Sequence, residues 1–122
     1  MKKIFLLLLI MVFGVSVFAG QYEDALRTGK PVCLYMYTKT CKYCKQFKPV
    51  FEKIAQNNRN TYRFVSIDAE SPYGRLLMRD LYGSYVPYVV LTDAKRQYFV
   101  PVAPSCAIEY SCIEKEMKKF LK

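Results

Sequence analysis

Hydrophobic positions along this chain change their spacing repeatedly, and each change marks the edge of an element. Directly after Lys2 and Lys3, the stretch from Ile4 to Val17 is almost unbroken apolar sequence. From Tyr22 to Thr28 the apolar groups fall at i, i+3 and i+4, the spacing of one helix face, and Gly29 with Pro31 beyond it ends the pattern. Val32-Cys33-Leu34-Tyr35-Met36-Tyr37 has almost no polar interruption, which predicts a strand covered on both faces, as in the middle of a parallel sheet. A second helical stripe follows in Phe47, Val50, Phe51, Ile54 and Ala55, on a helix running from Cys44 to Asn57. Pro49 lies inside that helix and predicts a kink, because its ring removes a backbone donor and collides with the preceding turn.

Thr61 to Ile67 reads as a second strand closed by Asp68, and residues 73–81 as a helix broken by Gly83. Tyr88 to Leu91 and Gln97 to Val100 flank the turn Asp93-Ala94-Lys95-Arg96 and predict a hairpin. A last helix is expected to start near Ser111, which forms a Ser-x-x-Glu capping box with Glu114 and leads into the stripe Ile113, Met117, Phe120, Leu121. Lys115, Lys118 and Lys119 then face water near its C-terminal end, where the helix dipole favours cations. Beyond the first helix the order is strand–helix–strand, helix, strand–strand–helix. That order predicts an α/β fold, a mixed central sheet covered by helices on both faces in a single domain.

The N-terminal run changes the picture of where this domain works. Two lysines, an apolar stretch and the small residues of Val17-Phe18-Ala19 read as a secretory signal peptide over residues 1–19, with the mature domain at 20–122. An uncleaved membrane anchor is the alternative, although the run is shorter than the ~20 residues that span a bilayer. The expected compartment is therefore outside the cytoplasm, periplasmic in a bacterial cell. Removal of Lys2 and Lys3 lowers the formal charge from +9 to +7, which favours acidic partners or an anionic membrane surface. Nucleic acid is not expected, because no basic cluster of five or six residues occurs. Five cysteines remain, Cys33, Cys41, Cys44, Cys106 and Cys112, and an oxidising compartment predicts disulfides wherever two can meet. The odd count leaves one thiol free.

Cys41-Lys42-Tyr43-Cys44 is the stretch that carries chemistry. Two thiols three positions apart share one face at the start of a helix, within the separation that a disulfide bridges. A strand feeding into Cys-x-x-Cys at a helix N-terminus is a redox signature. With Pro49 five residues past the second cysteine and Val86-Pro87 opening the hairpin, the chain from about Tyr22 onward resembles the thioredoxin family, in particular its small exported thioredoxin-like members. The resemblance implies a disulfide reductase, oxidase or isomerase acting on protein thiols. Cys41 would attack, helped by backbone N–H groups, the helix dipole and the nearby Lys39, Lys42 and Lys45. Thiols in such motifs have pKa values of roughly 3.5–7.5. Cys44, one turn deeper, would resolve the mixed disulfide. The resemblance also implies a cis bond at Val86-Pro87, beside the cysteines, with the Val86 backbone pairing to an extended substrate. Tyr43 is the aromatic residue assigned to that substrate platform.

One position departs from the family. Many thioredoxins carry a buried acid six residues before the first cysteine, where this chain has Tyr35, and residues 31–38 contain no carboxylate. Deprotonation of Cys44 then depends on water, a hydroxyl or a distant group. A basic residue between the cysteines and Val86 before the proline lean toward an oxidising couple. Exported relatives that keep client thiols reduced with electrons from a membrane donor favour the opposite direction, and reduction is preferred over oxidation here. The dithiol carries two electrons, so no organic cofactor is required. A monomer with protein thiol or disulfide substrates and a membrane redox partner for recycling is expected.

Cys106 and Cys112 bracket five residues between the hairpin and the last helix. A structural disulfide there is expected, contributing roughly 2 kcal/mol in the chain-entropy model; a second redox pair relaying electrons to Cys41 and Cys44 is the alternative. Cys33 in the buried strand reads as core. No metal site is expected: the chain lacks histidine, Lys45 excludes a Cys-x-x-Cys-His haem attachment, and Cys-x5-Cys is poor spacing for four-thiolate zinc. Lys39, Lys42, Lys45 and Lys48 recur every third residue and read as a solvated face, with steering of acidic substrates as the alternative. The rival to an oxidoreductase is a thioredoxin-fold module that binds soft metal or a partner without redox turnover.

Overall fold

The computed structural model describes residues 20–96 and 98–122. The leader read over residues 1–19 and the hairpin residue Gln97 lie outside the described residues. Among the described residues nine elements follow one another: α1 (Gln21–Arg27), β1 (Val32–Tyr37), α2 (Lys42–Asn58), β2 (Arg63–Asp68), α3 (Pro72–Asp80), β3 (Tyr88–Asp93), β4 (Tyr98–Val102), α4 (Pro104–Ala107) and α5 (Tyr110–Phe120). The sheet order is β2-β1-β3-β4. β1 pairs with β2 in parallel, Leu34 opposite Val65, and with β3 antiparallel, Leu34 opposite Val90. β3 and β4 form the antiparallel hairpin, Leu91 opposite Val100. The unbroken apolar run of β1 therefore reflects a central strand of a mixed sheet, with only one parallel neighbour.

Side chains of β1 alternate between two cores, as the pleat requires. Cys33 and Tyr35 point to the face covered by α2 and α5, where Phe47, Phe51, Ile54, Ile113 and Met117 are buried. Val32, Leu34 and Met36 point to the other face, against Ala25 of α1 and Leu77 of α3. Each large apolar side chain buried this way contributes about 1.5–3 kcal/mol, so the two layers dominate the stability. Tyr35 fills a gap in the first layer, its ring edge-on to Phe47 at 4.7 Å and tilted against Phe51 at 5.1 Å.

Local signals explain most boundaries. Ser71 caps α3 by accepting the Gly74 N–H at 2.9 Å, with Pro72 beside it at the start of the helix. Gly74 is required by space, because a methyl there would run into the carbonyl oxygen of Asp68. Gly29 adopts φ +79°, the left-handed conformation that glycine accepts most easily. Pro101 sits in β4, an edge strand, where proline within a sheet is tolerated.

Three expectations are corrected. The last helix begins at Tyr110, and Glu109 is its cap residue. The Glu109 carbonyl accepts the N–H groups of both Cys112 and Ile113, which starts the first turn ahead of Ser111 and removes the Ser111–Glu114 box. α4 was not read from the sequence; its four residues are too few to show a hydrophobic period. Leu121 stands exposed, so the buried stripe of α5 is Ile113, Met117 and Phe120. α2 starts at Lys42, two residues earlier than the start read at Cys44, and holds Pro49 inside it. The guanidinium of Arg96 donates to the Phe120 and Leu121 carbonyls, tying the hairpin turn to the end of α5.

Candidate functional site

Cys41 is the residue that starts α2. Its backbone is extended (φ −74°, ψ 115°), and its Sγ accepts the Cys44 N–H at 3.1 Å, so the sulfur itself caps the helix. The two sulfurs are bonded, with the Cα atoms 5.2 Å apart. Their environments differ: Cys41 is partly exposed, whereas Cys44 is only 4% exposed and belongs to the α2 core. A thiolate on Cys41 would sit at the positive end of a 17-residue helix with a backbone donor already aimed at it. An attacking sulfur outside and a resolving sulfur one turn deeper is the asymmetry that two-step disulfide exchange needs.

The loop before β3 brings the second part of the site. The Val86–Pro87 peptide bond is cis. Tyr43, Val86 and Pro87 line one apolar cavity of about 350 Å³, completed by Tyr85, Pro104 and Ile108. Tyr43 is 59% exposed at its mouth. Tyr85 stacks edge-on against Tyr88 at 5.3 Å. Tyr88 itself is buried, donates to the Leu81 carbonyl, and takes no part in the surface. The contributions of Pro104 and Ile108 were missed in the sequence, since they come from α4 and the residue that ends it. The only signal was Pro104, a residue suited to the first position of a helix.

Tyr35 occupies the place of the missing acid. Its hydroxyl donates to the Cys44 carbonyl oxygen at 3.1 Å, and burial pushes its phenol up to about 12, with Tyr37 adding to the rise. Tyr35 also borders a cavity of about 320 Å³ of mixed character, with Tyr37 and Phe51 as well as Lys48, Glu52 and Ser66 on its wall. Lys39, Lys42, Lys45 and Lys48 are all exposed.

The remaining cysteines lie in two other settings. Cys106 of α4 and Cys112 of α5 are bonded, Cα atoms 5.1 Å apart, so the bridge pins the short helix that walls the apolar cavity. Cys33 is a free thiol with no exposure, pushed up to about 12 by burial. Among the described residues no three His, Cys, Asp or Glu side chains come together as a metal cluster. Among them, too, no helix is long and apolar enough to cross a membrane.

Comparison with known proteins agrees with this arrangement. The family model Thioredoxin matches residues 14–95. Protein disulfide-isomerase of Saccharomyces cerevisiae is 28% identical over 117 residues, which cover 88% of this chain and 22% of that protein. The chloroplastic thioredoxin-like protein HCF164 of Arabidopsis thaliana is 31% identical over 64 residues, 48% of this chain and 24% of its own length. The chain thus spans about a quarter or less of these curated relatives. Among solved structures, spinach chloroplast thioredoxin F superposes with a TM-score of 0.69 at 22% identity, covering 84% of this chain and 80% of that one. Mitochondrial thioredoxin 3 of Saccharomyces cerevisiae gives 0.66 at 17% identity, covering 81% and 87%.

Proposed function

The chain belongs to the thioredoxin family, and from that premise we propose that it is an exported thiol–disulfide oxidoreductase that exchanges its Cys41–Cys44 pair with protein substrates, working mainly as a reductase. The observation that carries the reading is the asymmetry of the pair at the α2 N-terminus, with Cys41 partly exposed and capping the helix and Cys44 buried behind it. The cis Val86–Pro87 loop beside an apolar cavity supplies a place for an extended substrate.

In the reducing direction the Cys41 thiolate attacks one sulfur of a substrate disulfide. That bond breaks, the departing substrate thiolate takes a proton, and a mixed disulfide forms on Cys41. Cys44 then loses its proton and attacks the Cys41 sulfur. The Cys41–Cys44 bond closes and the second substrate thiol leaves, so two electrons have passed from the pair to the client. Oxidation of a client dithiol is the same sequence reversed. A membrane electron donor recycles the oxidised pair in this scheme. Export rests on the leader pattern at residues 1–19 and on a second disulfide, Cys106–Cys112, that suits an oxidising compartment.

The deciding measurement is the reduction potential of the Cys41–Cys44 couple in defined glutathione buffers. A value near about −270 mV supports the reductase, whereas one near about −120 mV overturns that direction in favour of a disulfide-forming oxidase. A chain that exchanges with neither insulin nor glutathione disulfide, yet carries stoichiometric zinc or copper, would be a binding module instead. Export is tested by the mature N-terminus of the protein recovered from the periplasm, expected at Gly20.

A further inference from the structure

The cis-proline loop has two faces, and the apolar cavity occupies only one of them. On the other side lies an open groove of about 490 Å³, lined by Thr38, Arg75, Arg79, Ser84, Tyr85 and Val86. Tyr85 and Val86 therefore border both depressions. The second groove is also walled mainly by apolar atoms, Met78 and Val86 among them, but it adds charge: Arg75 and Arg79, one turn apart on α3, both line it, as do Thr38 and Ser84. Among the described residues Arg75 has no ion-pair partner. Arg79 meets Asp80 at 3.3 Å, but both side chains are mostly exposed, and pairs of that kind contribute little. Glu70 is the one acid on the wall and pairs with neither arginine. Lys39 and Lys42, exposed beside Thr38 and Cys41, extend the positive field to the redox pair.

Resting on the oxidoreductase reading above, we propose that the two grooves form a bipartite substrate cleft. It selects client segments that carry an apolar residue on one side of the reacting cysteine and a carboxylate on the other. An extended chain advances about 3.3 Å per residue with side chains alternating, so a segment laid along Val86 sends residues a position or two either side of its cysteine into the two depressions. The apolar side chain enters between Tyr43 and Ile108. The carboxylate meets Arg75 and Arg79, whose planar donor forks match it, with the hydroxyls as further donors. Both arginines are exposed to solvent, and both stand on the wall of an open concavity that reaches Tyr85 and Val86 of the docking loop.

The test uses short peptides whose single cysteine is held as its neutral 2-hydroxyethyl disulfide. Leu and Glu flank the cysteine in both orders, and matched peptides carry Lys in place of Glu or Ser in place of Leu. Oxidation of the reduced chain is followed by acid quench and mass spectrometry. The better Glu peptide is expected to react faster than its Lys counterpart by about fivefold or more, the scale set by one or two partly exposed charge pairs. The preference should shrink in high salt, and the Ser peptide should also be slower. In the double variant Arg75→Glu, Arg79→Glu the Glu-to-Lys rate ratio should fall below one. Because the ratio is read within each variant, any general loss of activity cancels. Lys115→Glu with Lys119→Glu makes the same charge change on α5, outside both grooves, and should leave the ratio as it was.

Equal rates for Glu and Lys peptides, with free 2-hydroxyethyl disulfide still reduced, overturn the bipartite cleft alone. A Glu preference that survives the double arginine variant assigns it to the lysine fringe and overturns it too. A chain that reacts with no peptide and not with 2-hydroxyethyl disulfide removes the oxidoreductase reading, and this inference falls with it.

Discussion

The two disulfides of this molecule have nearly the same span and opposite surroundings. Cys41–Cys44 and Cys106–Cys112 place their Cα atoms 5.2 and 5.1 Å apart. The first closes within one helical turn, and its outer sulfur already takes a backbone hydrogen bond that would remain for a thiolate. The second joins two helices across the turn between them, and neither sulfur starts a long helix. The comparison teaches that a disulfide is made reactive by what each sulfur faces when the bond opens. At Cys41 that is a helix N-terminus and nearby exposed lysines. At Cys106 it is the packing that holds α4 in place.

The sharpest way to break the comparison is to remove one sulfur from each pair. Cys41→Ser is expected to lower disulfide exchange to the uncatalysed background while the unfolding midpoint shifts only slightly, because Cys41 is partly exposed. Exchange that persisted through Cys106 or Cys112 in that variant would mean that the second pair is itself redox-active. The third setting, Cys33, is a thiol without a partner, and it gives the next largest effect. Burial raises Cys33 from 9 to about 12 and Tyr35 from 10 to about 12. The folded state therefore keeps protons that the unfolded chain loses. Stability from these groups is complete below pH 9 and drains as pH rises toward 12, by up to about 1.4 kcal/mol per pH unit for each group. Cys33→Ala should flatten the alkaline limb of denaturant unfolding measured from pH 8 to 11, although the cavity lowers stability at every pH. An unchanged slope would show that another group titrates there.

Replacing Cys106 and Cys112 together by Ala is a smaller change. A loop of this length is expected to contribute about 2 kcal/mol, so the double variant should unfold earlier in urea by that amount. Exchange with 2-hydroxyethyl disulfide should continue, and exchange with the apolar peptides should weaken, because α4 and its C-cap residue supply Pro104 and Ile108 to the cavity. If peptide exchange stays the same, the bridge serves stability alone.

How much of this was legible in the sequence follows from the range of each signal. The α2 stripe was legible because burial on one face imposes a local period of 3.6 that survives in the residue order, and β1 because burial on both faces leaves a short unbroken apolar run. The redox pair was legible because its chemistry lies within four residues. α4 was not, since a single turn has no period and its burial is set by partners far along the chain. The start of α5 was misread because Ser111 and Glu114 satisfy the capping pattern, while the carbonyl of Glu109 captures the first N–H groups instead. The pairing of Arg75 with Ser84 and Thr38 around one groove depends on how β1 and α3 come together, which no local pattern records.

The smallest expected effect concerns the residue that separates this site from its family, and it decides how the buried half of the active pair works. Tyr35 lies six residues before Cys41 and donates to the carbonyl of Cys44 at 3.1 Å. A phenol held neutral by burial cannot take the Cys44 proton at neutral pH, so it cannot act as the family's acid does. What it does is fix the backbone of the resolving residue against the sheet. Tyr35→Phe keeps the ring contacts with Phe47 and Phe51 and removes only that bond, an expected loss of about 1 kcal/mol. Release of the mixed disulfide, followed by rapid quench, should slow modestly at all pH values with no change in the shape of its pH profile. If the profile instead shifts, the hydroxyl takes part in moving the proton. Tyr35→Asp sharpens the same question, because a buried carboxyl there is raised in pKa and lies on the α2 side of the sheet, the side that holds Cys44. That variant should be destabilised increasingly as pH rises through the folded carboxyl pKa, since only the protonated form is tolerated without a partner. It should also resolve the mixed disulfide faster once ionised, and a Tyr35→Asp chain that gained no speed would show that deprotonation of Cys44 is not what limits exchange.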